Sequence, residues 1–315
     1  SLLLLCCMNL VSAQRVESPT GTLALTFQLT PDGQPTYAVS YKNKPVVLSS
    51  ALGVSLKDKT ALVNHFEVTG TTTHAVNETW KPVLGEQAQI VNHYNELIVA
   101  LVQKDSKVKL NLVFRAFDEG VAFRYDFPKQ ENLNYFIISD EKTEFNLTEN
   151  NKVFWIPGDF DSNEYVYNET KFSEIDNEKL NLNNGIGVKS IPGKYTVQTP
   201  LQMKSPSGLY LNIFEAAVVN YPVMHLDANV QKYTLKANLV PNAIGDKAYL
   251  QAPCVSPWRT IMVSDDARKI VSSKMILNLN EPSKIEDTSW IKPMKYVGIW
   301  WEMHVGKSTW DYAGS

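Results

Sequence analysis

The densest group of hard oxygen donors in the sequence is Asp159, Asp161, Ser162, Asn163 and Glu164, set around Phe160 in six consecutive residues. Calcium takes six to eight oxygens, and ligands at alternate positions open many of its loops. The run does not continue as an EF-hand. Glu164 stands at the sixth position, where the turn needs glycine, and Thr170 at the twelfth, where a bidentate glutamate belongs. On spacing alone the run reads first as a solvated acidic turn. Further on, Trp300 and Trp301 sit side by side before Glu302. On a strand two adjacent indoles point to opposite faces, where they either pack in a core or stack on the C–H face of a sugar.

Other chemistries find no local support. Gly306, Lys307 and Ser308 resemble the end of a phosphate loop, but Trp301 occupies the position of its first glycine. There is no G-x-S-x-G elbow, and none of the 5 histidines (His65, His74, His93, His225, His304) has zinc spacing.

The elements that must position these residues are strands. From Gly21 to about Asn280, apolar residues alternate at period two and Gly, Pro, Asn and Asp break the pattern every ten or so residues. Leu23, Leu25 and Phe27 lead through the turn Pro31, Asp32, Gly33 into Tyr37, Val39 and Tyr41, which predicts a hairpin. Residues 108–114, 121–127, 135–138, 153–156, 195–203, 209–214 and 233–239 read as further strands. So many strands without a Pro- or Ser-rich linker fit one oversized antiparallel sandwich better than two small ones. Ser264, Asp265 and Asp266 mark a helix start, an N-cap with acids in the first turn, ahead of residues 267–271. Residues 296–301 read as a buried strand that opens a new domain.

The chain has 315 residues, 44% hydrophobic and 10% aromatic, enough for a real core. Lys+Arg 30 against Asp+Glu 33 gives a net charge of -3 with no basic stripe, which argues against nucleic acid as a partner. The opening run SLLLLCCMNLVSAQ ends in small residues, as the tail of a secretory signal does, with the cut expected after Ala13. It is too short for a membrane span, and its true start is expected to lie upstream. Acylation at Cys6 or Cys7 fits less well, because large leucines precede them. Beyond the signal only Cys254 remains, so the mature chain forms no internal disulfide, which suits a bacterial periplasm. The sequons at Asn77, Asn146 and Asn168 are read as chance matches in an Asn-rich chain.

Several long strings are compositionally unusual: FWIPGDFDSNEYVY (154–167), ETWKPVLGE (78–86), NHYNEL (92–97), PCVSPWRTIMVSDDA (253–267), LNLNEPSKI (277–285) and KYVGIWWEM (295–303). They resemble glycoside hydrolase family 97, most of all its starch-utilisation α-glucosidase branch, from about Val16 onward. The resemblance implies a mainly β fold: a large antiparallel β-super-sandwich akin to galactose mutarotase, followed by a (β/α)8 catalytic barrel. On this reading residues 1–13 are the signal remnant, 14–285 the super-sandwich, and 286–315 a linker with the first strand of the barrel. The catalytic carboxylates of the family lie on later barrel strands, so the chain itself is expected to hydrolyse nothing, and its first partner is its own barrel.

The resemblance also implies site residues. Glu164 matches a sandwich glutamate lent to a calcium ion that barrel glutamates otherwise hold. Trp300 matches a sugar-contacting tryptophan, and Gly185, Ile186 and Gly187 fall where the sandwich approaches an α-linked oligosaccharide. The implied activity is that of a periplasmic calcium-dependent α-glucosidase acting at non-reducing ends. An α-galactosidase of the same family and a stand-alone, mutarotase-like carbohydrate-binding sandwich are the alternatives.

Overall fold

The computed structural model describes residues 13–180, 190–296, 300–307 and 309. They form antiparallel sheets of eight, ten and three strands. The eight-stranded sheet begins with Gln14–Glu17, Leu23–Leu29, Pro35–Tyr41 and Lys44–Ala51, then takes in Glu144–Leu147, Thr234–Leu239, Met224–Asn229 and Thr196–Val197. The ten-stranded sheet runs in the order Asn168–Lys171, Lys152–Trp155, Leu201–Lys204, Tyr210–Ala216, Trp258–Ser264, Gly120–Phe127, Lys109–Phe117, Ile90–Gln103, Phe66–Trp80, and Cys254–Val255 also pairs with Gly120–Phe127. The small sheet joins Ala248–Gln251, Tyr135–Glu141 and Val54–Leu56.

One core lies between the large sheets. Leu25, Phe27, Tyr37 and Val39 from the first meet Leu112, Phe114, Phe123 and Ile261 from the second. Rings cross the interface, Phe27 on Phe114 at 5.8 Å and Tyr37 on Phe123 at 4.7 Å. Each such pair contributes about 0.5–1.5 kcal/mol beyond its burial. The predicted hairpin is present, with Leu25 opposite Val39 and Phe27 opposite Tyr37. Its turn requires Gly33: φ is +76, and a Cβ there would lie 2.6 Å from the backbone nitrogen of Phe66.

Several expectations are corrected. Residues 195–203 are not one strand. Thr196–Val197 pairs with Met224–Asn229 in the eight-stranded sheet and Leu201–Lys204 pairs with Tyr210–Ala216 in the other. Pro200, which has no N–H for a ladder, stands at the break, and the chain crosses between sheets there. The helix over Ala267–Ser272 is capped by Asp266, whose carboxylate accepts from the Arg268 N–H, and its first turn holds no acid.

The chain divides into two compact units, a larger one that runs to Trp80 and resumes over Ile90–Glu281, and a smaller one of Lys81–Gln89 with the residues from Pro282 onward. In the smaller unit the strand expected at 296–301 is not found in the described residues. Tyr296 is exposed outside any strand, 297–299 lie outside the described residues, and Trp300 and Trp301 open a short helix, Trp300–His304. The reason is local. The helical spacing of four places His304 against the Trp300 ring at 4.4 Å.

Candidate functional site

The acidic run projects from the end of the strand Lys152–Trp155, which is held between Asn168–Lys171 and Leu201–Lys204. Pro157 bridges to Val197, and the Gly158 N–H donates to the Thr196 carbonyl at 2.9 Å. A Cβ on Gly158 would lie 2.5 Å from Thr196 Cγ2, so only glycine lets the chain leave the sheet this close to its neighbour.

Asp159 then organises the loop from inside. It is 2% exposed. Its Oδ1 accepts from the backbone N–H groups of Asp161 (2.8 Å), Ser162 (3.2 Å) and Ser190 (3.2 Å), and its Oδ2 from the Tyr165 phenol (2.5 Å). Burial pushes the Asp159 carboxyl up, but the Tyr165 phenol and these N–H groups more than offset it and leave it below the ordinary carboxylate value. Burial, with the same contact, drives Tyr165 up to about 12. Gln198, carried in by the crossover, donates to the Asp159 carbonyl at 3.1 Å and the Ser162 carbonyl at 2.6 Å. The Ser190 hydroxyl donates to the Asp161 carboxylate.

So braced, the loop forms one wall of a cleft of 680 Å³. Glu164 is exposed at this wall, its N–H bonded to the Ser162 hydroxyl at 3.2 Å. The facing wall is built from Tyr210–Ala216 and Met224–Asn229 and includes Phe214, Glu215, Met224 and His225. A buried ion cluster stands behind it. Arg259 donates two bonds to Glu141, at 2.9 and 2.7 Å, and one to Glu215 at 2.5 Å, while Thr143 and Tyr221 also donate to Glu141. Burial raises both carboxyls. Arg259 and two hydroxyls bring Glu141 below its ordinary value, whereas Glu215, with one guanidinium N–H and the Met224 N–H at 3.0 Å, stays above it.

The cleft's apolar patches and convergent polar groups suit a polar organic ligand. Calcium finds only part of a shell here. Glu164 offers a hard carboxylate at the loop tip, both Asp159 oxygens already accept bonds, and among the described residues no group of three or more His, Cys, Asp or Glu could hold a metal ion. A second cleft of 630 Å³ is lined by Lys42, Asp118 and Asp265, but Lys42 pairs with Asp265 at 2.7 Å and Asp118 accepts from Thr20.

Of the residues the sequence singles out, Glu164 lies at the cleft. Trp300 lies in the smaller unit, 62% exposed. Gly185, Ile186 and Gly187 lie outside the described residues. Sequence reasoning overlooks His225, Glu215 and Gln198. The only signal for the strand carrying His225 was the alternation of Met224, Leu226 and Ala228.

A family model described as the glycosyl-hydrolase 97 N-terminal domain matches residues 16–282. Among solved structures, a glycoside hydrolase family 97 enzyme from Pseudoalteromonas sp. strain K8 in complex with acarbose is 34% identical, with a TM-score of 0.81, over 94% of this chain and 42% of its own. A variant of that enzyme in complex with panose matches with a TM-score of 0.80. A retaining α-galactosidase from Bacteroides thetaiotaomicron is 24% identical over 95% of this chain and 46% of its own length. The chain thus spans less than half the length of these relatives. With the family model covering most of its residues and its sheets superposing on those of a family member, the chain belongs to glycoside hydrolase family 97 and contributes that family's N-terminal domain.

Proposed function

We propose that this domain is the sandwich of an exported, calcium-dependent α-glucosidase that hydrolyses the non-reducing-end α-glucosidic bonds of starch-type oligosaccharides, working in the periplasm with a catalytic barrel that carries the acid and base. The observation that carries the reading is the rim loop itself. A carboxylate at its tip, Glu164, follows a buried one, Asp159, whose oxygens accept from three backbone N–H groups and the Tyr165 phenol. Such a loop is rigid enough to lend one ligand to an ion whose other ligands come from elsewhere. Bound calcium would supply positive charge beside the sugar. The solved relative with acarbose and panose bound favours an oligosaccharide substrate and the glucosidase branch.

The α-galactosidase reading rests on the retaining α-galactosidase at 24% identity. Hydrolysis rates on aryl α-glucosides and aryl α-galactosides by the whole protein separate the two. The calcium reading is tested by Glu164→Gln in that protein. Calcium affinity and hydrolysis are expected to fall together, with partial recovery as calcium is added. Unchanged activity after exhaustive chelation and calcium titration would return Glu164 to a solvated turn. The chain alone is expected to give no turnover of aryl α-glucosides, since binding without the reacting carboxylates gives little rate. Turnover lost on mutating an acid within the sandwich would favour a self-contained active domain instead.

A further inference from the structure

His225 is the observation the proposed function does not use. It is 6% exposed and lines the rim cleft, and neither ring nitrogen makes a hydrogen bond of good geometry within the protein, although the Asp159 carbonyl lies close enough to draw on the ring. Buried polar side chains are hydrogen-bonded as a rule, so an exception facing a cleft points to a ligand. The ring is held from two sides. Phe160 of the rim loop stacks on it at 5.6 Å with the planes 11° apart. Behind it the backbone is fixed through the Met224 N–H, bonded to Glu215, which is in turn gripped by Arg259. Packing and charge thus fix the ring's direction before anything binds.

We propose that His225 anchors a carbohydrate subsite in this cleft, exchanging hydrogen bonds with the hydroxyls of an α-linked oligosaccharide. The proposal rests on the functional reading above and names a residue of its ligand site. A neutral imidazole donates at one nitrogen and accepts at the other, which matches a hydroxyl, itself both donor and acceptor. Burial holds the ring below its ordinary pKa against the opposing pull of the Asp159 carbonyl and carboxylate and of Asp227, so it is neutral at neutral pH. Phe214 and Val223 line the same cleft and give the C–H face of a sugar an apolar surface. A cleft of 680 Å³ accommodates a ligand of this size.

The test is an imidazole nitrogen–proton correlation spectrum of the chain labelled with 15N-histidine, titrated with maltotriose and, separately, raffinose. Saturable shifts at His225, with the other histidines still, are expected. His225→Phe keeps the stack on Phe160 and removes both nitrogens, and should weaken binding about 3- to 10-fold, the worth of one net hydrogen bond. His225→Gln, which keeps a donor and an acceptor, should weaken it less. Shifts with either sugar support the subsite, and the tighter sugar tells which glycoside it prefers. A His225 resonance unmoved by both sugars up to their solubility limits overturns the proposal, as does His225→Phe binding as tightly as the native chain. Hydrolysis of α-glycosides by the whole protein is measured alongside. Hydrolysis with His225 silent sinks this inference alone, and binding at His225 without hydrolysis sinks the α-glycosidase reading alone.

Discussion

The sandwich buries carboxylates in two places and treats them differently. Around Arg259, Glu141 and Glu215 face a cation, and the network continues through Thr143 and Tyr125 to the Gly53 N–H at 2.9 Å. Asp159 forms no ion pair with a cation among the described residues. The charge is met by three backbone N–H groups and a phenol. The first cluster ties sequence-distant strands together, whereas the second shapes a single loop and presents Glu164 at the cleft. A buried ion pair seldom adds net stability over apolar packing, but losing one partner strands the others. A carboxylate capped by N–H groups is a local brace, and its loss is felt mainly where the brace acts.

This contrast sets an order of effects. Arg259→Met leaves two buried carboxylates without their cation and should cost about 3–5 kcal/mol in denaturant unfolding of the chain. A loss near the ordinary surface value would mean that the cluster is solvated and the contrast is mistaken. Asp159→Asn should cost about 1–3 kcal/mol, because it weakens acceptors for buried donors. Its pH dependence sharpens the point. The folded carboxyl lies below its ordinary value, so its contribution is full above about pH 5 and fades as pH falls through the ordinary carboxylate range toward the lower folded value. The gap between the native chain and Asp159→Asn should therefore narrow on acidification, and a gap that widened would reverse the assigned sign. Tyr165→Phe removes one donor to Asp159 and should cost about 1 kcal/mol while raising the Asp159 pKa, measurable by carboxyl-carbon NMR titration. Glu164→Gln should leave unfolding within about 0.5 kcal/mol of native, since the residue is exposed in a loop and the substitution keeps its shape.

Much of the architecture was legible because along many strands buried apolar residues alternate with less buried, more polar ones. The alternation that marks Leu23–Leu29 and Lys109–Phe117 is the sandwich core seen in one dimension. The longest strand escaped for the opposite reason. Phe66–Trp80 forms an edge of the ten-stranded sheet and is exposed along most of its length, so threonines, His74, Asn77 and Glu78 fill both faces and no period appears. At the site, the density of oxygen donors located the rim loop, but not the inward turn of Asp159, which depends on a crossover that brings Gln198 from another strand. Glu141, Glu215 and Arg259 are far apart in the chain, and nothing local announces that strand pairing will bring them together. His225 looked like any histidine in a strand. What distinguishes it, two buried nitrogens with no well-formed hydrogen bond, exists only once the fold does.

The Met224 N–H, bonded to buried Glu215, also has a kinetic meaning. An amide whose acceptor belongs to a core ion cluster exchanges its hydrogen with solvent only when that core opens, at a rate set by global unfolding. The amides of Asp161 and Ser162, held by Asp159 in a loop, can exchange through a small local excursion. One side of the cleft thus opens only with the core, while the other depends on the local brace of Asp159. Amide exchange along the two walls should therefore differ even though both shape the same cleft.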